Sequence, residues 1–339
     1  MDFELIPCIG KRRPWVRYAY SPFCNSMLSR AIHRNSNALV DFVHIHGLFS
    51  QITHNAAKIC QKFSIPYAIR PTGALDELPL QKGATFLKSF FLRYQLRGLL
   101  EDAHFIQSTS SQESKSLENL GFNLRLREIP LGISQPDWSP AHYQQIFAHR
   151  FPDLQNKPFI LCLSRIHPIK RLDLALKAFK ILSEKTSECH LVIAGTQNAY
   201  QSQLLNEAQQ LDISLKVHFV GFLQDELKTG AFFSARAFLQ TSEHENFGVT
   251  VLEALAHGLR VVCTPNVAAG EHLTKCNGGL ISTDEPESIA DKLFEILKEH
   301  SEEQKLALSK RVFHLCSWDS VAQQLYNCYK DPIAPSLVA

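Results

Sequence analysis

The sequence predicts an α/β protein built as two doubly wound domains, and three observations lead there. The chain has 339 residues, enough for about two domains at roughly 150 residues each, both able to bury a core. Short aliphatic runs alternate along it with helix-length periodic segments, the rhythm of βαβ units on a parallel sheet. The stretch "SQPDWSPAHYQQIFAHRFPDLQNKP" at 134–158 interrupts that rhythm with four prolines and no alternation, which reads as a linker.

The strands follow in order. In the second half they are "FILCL" at 159, "LVIAG" at 191, "VHFVG" at 217, "AFLQ" at 237, "RVVC" at 260 and "GLIS" at 279. The first half repeats the pattern with "DFVHIHG" at 41, "PYAIRP" at 66, "AHFIQST" at 103 and "LREIPLG" at 126. The expected organisation is a first domain over 1–137, a linker over 138–157, a second domain over 158–310 and a helix over 311–330.

Composition narrows the function. A formal net charge of +2 gives no reason to expect bulk nucleic-acid binding, so any basic site must be local. Nine cysteines include no C-x-x-C pair, which argues against zinc or redox motifs and fits free thiols in a reducing cytosol. Residues 1–20 lack the apolar core of a signal peptide, and no run approaches the ~18 apolar residues of a membrane span. The expectation is a cytoplasmic protein.

Ligands of doubly wound sheets sit beyond the carboxyl ends of the strands, which directs attention to two loops. The first, "SRIHPIKRLDLALKAF", places Arg165, Lys170 and Arg171 between a strand end and a helix opening near Leu172. That suits an anion, although a solvated basic loop has the same appearance. The second, "ENFGVTVLEALAHGLRVV", reads as a turn, a helix over about 247–257, a stop at Gly258 and a strand. Backbone amides near Phe247, Gly248, Val249 and Thr250 would then face a bound anion, with Gly248 allowing close approach. Glu253 stands among Val249, Val251, Leu252, Ala254, Leu255 and Ala256, and a carboxylate so placed needs a partner. A neighbouring lysine or backbone amide would serve; so would the two hydroxyls of a vicinal diol such as ribose. Glu245, in the turn before this helix, is either an ordinary surface residue or part of the same site.

With those residues in view, "ENFGVTVLEALAHG", two glutamates with seven residues between them, is similar to the signature of retaining glycosyltransferase family 4, which has the GT-B fold: two Rossmann-like domains facing a cleft. "LSRIHPIKRLDLALKAF", "LVIAG", "VHFVGFL", "CSWDSVAQQLY", "VDFVHIHGLFS" and "STSSQESKSLENLGF" resemble further elements of that family in the family's order. The resemblance implies a sugar transferase using a nucleotide diphosphate sugar. Arg165 and Lys170 would hold the diphosphate with the amides after Asn246, Glu253 the ribose, and Glu245 the hydroxyls of the transferred sugar. Gly221 would belong to the donor side, Gly47 and Thr72 to the acceptor and sugar side, and the terminal helix would cross back to the first domain. It also implies retention of anomeric configuration, a saccharide or lipid-linked acceptor, and a role in polysaccharide or glycolipid assembly.

The sequence contains no D-x-D carboxylate pair, so a metal-bridged diphosphate is not expected and basic side chains take the ion's place. Two departures from the family pattern stand out. Only about 40 residues precede "VDFVHIHG", where relatives carry a further strand, a glycine-rich loop and a helix. Thr72 stands where many relatives have histidine, and a hydroxyl cannot act as an imidazole. These departures keep two alternatives open: a nucleotide-sugar-binding protein with little or no turnover, and an epimerase of the same fold. Two weaker signals complete the reading. His44 and His46 share one face of a strand and could bind a metal or be structural. The segment 81–100 gathers Lys82, Arg93 and Arg97 beside Phe90 and Tyr94, either as a contact with an anionic membrane or as a core helix with solvated ends.

Overall fold

The computed structural model describes residues 40–76, 96–297 and 301–331, and the chain divides into two compact units. The first comprises Met1–Pro130 with Gln323–Ala339, the second Leu131–Ala322. The described part of the first carries β1 (Val43–His46), α1 (Gln51–Phe63), β2 (Tyr67–Arg70), α2 (Arg97–Glu101), β3 (Phe105–Ser108), α3 (Ser111–Glu118) and β4 (Leu126–Glu128). The four strands form a parallel sheet in the order β1-β2-β3-β4. Serine hydroxyls start the helices: Ser50 accepts from the Thr53 amide and Ser110 from the Glu113 amide, each satisfying an amide that has no partner within its helix. Ile45, Ile59, Ile69, Leu100 and Ile106 form the core.

The second unit opens with α4 (Pro140–Arg150) and continues through β5 (Phe159–Leu163), α5 (Leu172–Lys185), β6 (His190–Ala194), α6 (Ala199–Gln210), β7 (Val217–Gly221), α7 (Asp225–Ser234), β8 (Ala237–Gln240), α8 (Val249–Ala256), β9 (Val261–Cys263), α9 (Gly270–Cys276), β10 (Gly279–Ile281), α10 (Pro286–Ile296) and α11 (Glu302–Cys316). Its six strands are parallel in the order β10-β9-β8-β5-β6-β7. Strand β5 is buried on both faces. Phe159 and Leu161 enter one apolar cluster and Ile160 and Cys162 the other, which is why "FILCL" is continuously apolar rather than alternating. The chain winds outward from β5 through β6 and β7, then returns to the other side of β5 with β8. That reversal is a switch point of the sheet, and doubly wound sheets take ligands beyond the carboxyl ends of the strands at such a point, here β5 and β8.

Two expected boundaries move. The segment 138–157 is not a linker but carries α4 and a 3-10 turn at Pro152–Leu154, and Phe147 and Leu154 are buried in the second unit's core. Pro140 occupies the first turn of α4, where its missing N–H costs nothing, and Pro152 lies beyond the helix end, so the prolines delimit the helix. The Gln144 carboxamide donates to the carbonyl of Phe233 at 2.7 Å, tying α4 to α7. The terminal helix expected at 311–330 is two helices. α11 ends at Cys316, where the Ser317 hydroxyl accepts from the Ser320 amide at 3.2 Å and starts α12 (Trp318–Lys330). The chain re-enters the first unit at Gln323.

Candidate active site

The two loops singled out in the sequence follow β5 and β8, so the fold brings them together at the reversal of strand order. They are tied by backbone and hydroxyl bonds. The Thr241 hydroxyl lies 2.9 Å from the carbonyls of both Lys170 and Arg171, and the Glu243 amide donates to the Ile169 carbonyl at 2.8 Å. Lys170 ends a 3-10 turn and is 8% exposed. Its ammonium forms an ion pair with the Glu245 carboxylate. Two residues 75 positions apart, assigned separately to phosphate and to sugar, therefore form one charge pair, buried on the lysine side and half-buried on the glutamate side. Arg165 is exposed and forms no ion pair among the described residues, which leaves its guanidinium available at the rim. Arg171 pairs with Asp173 at 3.5 Å.

Glu245 is held by its backbone as well. Its amide donates to the Asn266 carbonyl at 3.0 Å, its carbonyl accepts from Ala268, and Phe247 accepts from Ala269 at 2.7 Å. The turn then enters α8 through Gly248, whose φ of +88° only glycine adopts without strain. No side chain caps α8, so the amides of its first turn face out as a ready anion site. The Phe247 side chain is buried against His272, so Phe247 can contribute only backbone to that site.

Glu253 accepts from the Lys228 ammonium at 2.6 Å. The lysine partner that was one of two readings of this carboxylate is present, supplied by α7, and nothing in the sequence pattern marked it. The pair lines a cavity of about 530 Å³ with Asp225, Val249 and Trp318. Beneath it the His257 ring stacks on Phe232 and makes a hydrogen bond with the Glu253 carbonyl at 2.7 Å. Burial keeps that imidazole neutral, with its pKa lowered to about 4. Gly221 has a φ of +77°, and its carbonyl accepts from Gly195. Gly195 was not singled out in the sequence, although it closes "LVIAG". A Cβ there would lie 2.2 Å from the Ser164 carbonyl oxygen, so only glycine lets the loop after β6 pack on the loop carrying Arg165.

In the first unit, Gly47 has a φ of +83° and its amide donates to Arg70, while Thr72 sits in the left-handed region with its hydroxyl 2.6 Å from the Pro71 carbonyl. The neighbouring Gly73 amide donates to Glu113 at 2.7 Å, and the Thr109 amide and hydroxyl donate to the same carboxylate. Burial raises the Glu113 pKa against those three hydrogen bonds. His44 and His46 do share a face, with ring centroids 4.5 Å apart. His44 Nδ1 lies 2.7 Å from the Tyr329 hydroxyl, which commits that nitrogen to α12. Among the described residues no three His, Cys, Asp or Glu side chains gather as metal ligands. Of the segment at 81–100, Lys82, Phe90, Arg93 and Tyr94 lie outside the described residues, as do the residues preceding 40. Arg97 is exposed and pairs with Glu101 at 3.0 Å. No helix among the described residues is long and apolar enough to cross a membrane.

Two parallel-sheet α/β units, with Arg165, Lys170 and the uncapped start of α8 at the strand reversal of the second, are the architecture of GT-B glycosyltransferases. Residues 145–312 match the family described as glycosyl transferases group 1, and that part of the chain belongs to the family. Over 325 residues it is 24% identical to the alpha-monoglucosyldiacylglycerol synthase of Streptococcus pneumoniae, a match covering 94% of this chain and 71% of that protein. Over 169 residues it is 29% identical to the mannosylfructose-phosphate synthase of Agrobacterium fabrum, covering 47% of this chain and 37% of that protein. The solved structure of Anabaena HepE in complex with UDP is similar in fold, with a TM-score of 0.73 at 16% identity over 91% of this chain and 81% of that one.

Proposed function

We propose that the protein transfers a sugar, with retention of configuration and without a metal, from a nucleoside diphosphate sugar to a saccharide or lipid-linked acceptor in glycolipid or polysaccharide assembly. The observation that carries this reading is the Lys170–Glu245 pair at the reversal of strand order, flanked by Arg165 and the uncapped start of α8. Breaking a glycosyl phosphate bond develops positive charge on the sugar and negative charge on the departing diphosphate. Fixed cations and a helix N-terminus stabilise the latter without reorganising at the moment of reaction. The donor's arrival exchanges partners: Lys170 turns to the diphosphate while Glu245 takes sugar hydroxyls. The departing phosphate oxygen accepts the acceptor's proton on the face it leaves, so no protein nucleophile is required. Thr72, Gly47 and the turn held by Glu113 are assigned to the acceptor side. The monoglucosyldiacylglycerol in the pneumococcal relative's name supports work at a membrane surface.

The test is a transfer assay with UDP-glucose and GDP-mannose as donors and diacylglycerol or monoglycosyldiacylglycerol vesicles as acceptors, run with and without EDTA. A product with the donor's anomeric configuration by NMR, formed equally in EDTA, is expected. An inverted product, or activity abolished by EDTA and restored by a divalent ion, contradicts the mechanism.

A further inference from the structure

We propose that the first unit carries an oxyanion site on Arg70, at the carboxyl end of β2, and that the acceptor is a molecule bearing a phosphate or carboxylate group. The second half of this inference rests on the assignment of the first unit to the acceptor. Strand parity defines the site. Ile45, Ile69 and Ile106 belong to the core on one face of the sheet, so their neighbours His46, Arg70 and Gln107 project to the other face. His46 stands directly across from Arg70, and the β2–β3 register, which pairs Ile69 with Ile106, carries the row on to Gln107. Two residues nearer the strand starts, Tyr329 of α12 packs on His44 and Phe105.

That face is short of partners. Arg70 Nε is enclosed without a hydrogen-bond partner, as are Gln107 Oε1 and His44 Nε2, and the Arg70 guanidinium forms no ion pair among the described residues. Buried polar groups are almost always hydrogen-bonded, so a guanidinium with five N–H donors beside a free carboxamide oxygen calls for a ligand. Glu113 is the carboxylate whose charge reaches Arg70, but its oxygens are taken by the Gly73 amide and by the Thr109 amide and hydroxyl. Arg127, next to Gln107 in the row, is already paired with Asp331 at 3.5 Å. His44 and His46 are neutral at pH 7, because burial first and then neighbouring charge lower both pKa values, that of His44 to about 3. Arg70 is therefore the row's one cation outside an ion pair among the described residues. Other donors at this end of the sheet are committed: the Gly47 amide to the Arg70 carbonyl and the Thr72 hydroxyl to the Pro71 carbonyl. An anion arriving beyond β2 meets the guanidinium, whose planar fork matches phosphate and carboxylate. Arg70 is half-buried, which holds the fork in place and leaves it within reach. A soluble sugar phosphate or sugar acid and the headgroup of an anionic lipid present the same group.

Calorimetric titration with glucose 6-phosphate, glucuronate and glucose, with and without saturating UDP, tests the site, together with flotation on phosphatidylglycerol and phosphatidylcholine vesicles. Binding of glucose 6-phosphate or glucuronate but not of glucose, weakened at least tenfold in Arg70→Gln, is expected if the acceptor is soluble. Flotation on phosphatidylglycerol alone, lost in the same variant, identifies a lipid headgroup instead. Arg70→Lys keeps the charge without the fork, and an intermediate loss there keeps the test readable should Arg70→Gln melt early. Equal binding of glucose and glucose 6-phosphate overturns the proposal, as does displacement of the anion by UDP, which places it in the donor site. So does binding unchanged in both variants, or no binding in either assay. Neither assay reads sugar transfer. A protein that binds these anions and transfers no sugar contradicts only the proposed function, and one that transfers sugar to neutral acceptors alone contradicts only this site.

Discussion

At the scale of residues, the cations of the first loop divide by burial. Arg165 is exposed and outside any ion pair among the described residues, while Lys170 is buried against Glu245. Arg165→Ala should weaken UDP binding while leaving uridine binding and the melting temperature unchanged. Lys170→Ala should weaken UDP binding and also cost stability, because Glu245 keeps a half-buried charge without its partner, about 1–3 kcal/mol. Thermal melts beside the two titrations separate these outcomes, and equal melts for the two variants contradict the pairing. His44 makes a pH test. Burial first, then His46 and Arg70, lower its pKa to about 3 from 6.5. Between those values the unfolded chain binds more protons, so this group's contribution is intact above pH 6.5 and is lost as pH falls toward 3, by at most about 1.4 kcal/mol per pH unit. Urea unfolding at pH 7 and pH 5 should show a smaller acid loss in His44→Gln, which keeps an acceptor for Tyr329. The same loss in both proteins contradicts the assignment. Residue identities in the two loops were legible because they lie in contiguous motifs. Lys228 was not, since its meeting with Glu253 depends on how α7 packs beside α8 and no local pattern encodes that.

At the scale of elements, the strands were the most legible feature. "FILCL", "VHFVG" and "AFLQ" coincide with β5, β7 and β8; β5 and β8 are buried parallel strands, which leave continuous apolar runs, while β7 is the half-buried edge strand. Helix α4 was missed for the converse reason. Only Phe147 of its residues is buried, so it lacks an apolar stripe, and the prolines that frame it looked like linker punctuation. Gly230 tests its place in the second unit. A Cβ there would lie 2.4 Å from the Tyr143 carbonyl oxygen and 2.9 Å from Phe147 Cβ, so Gly230→Ala should push α4 off α7 and cost about 1–3 kcal/mol in urea unfolding. A neutral substitution would return 138–157 to the status of a linker. Gly248 tests the entry to α8. Alanine at its φ of +88° would meet Val267 Cγ1 at 3.2 Å and Ala269 Cβ at 3.3 Å, on top of a left-handed penalty of about 1–2 kcal/mol. Gly248→Ala is expected to lower both the melting temperature and UDP affinity, since the first-turn amides must re-aim. Unchanged UDP affinity would remove those amides from the site.

At the scale of the whole molecule, the second unit contains every residue assigned here to the donor, and the first unit those assigned to the acceptor side. The central claim is that phosphates are read by Arg165, Lys170 and the start of α8, and ribose by Glu253. The most direct measurement is a calorimetric titration of the intact protein and of Glu253→Ala with UDP, GDP, ADP and inorganic pyrophosphate. At least one nucleotide should bind. Glu253→Ala should weaken it tenfold or more, because each hydroxyl bond to a charged group contributes ~1.5–3 kcal/mol. Pyrophosphate, which has no ribose, should bind both proteins alike. Binding of none of the three nucleotides, or equal losses for nucleotide and pyrophosphate, would contradict the account.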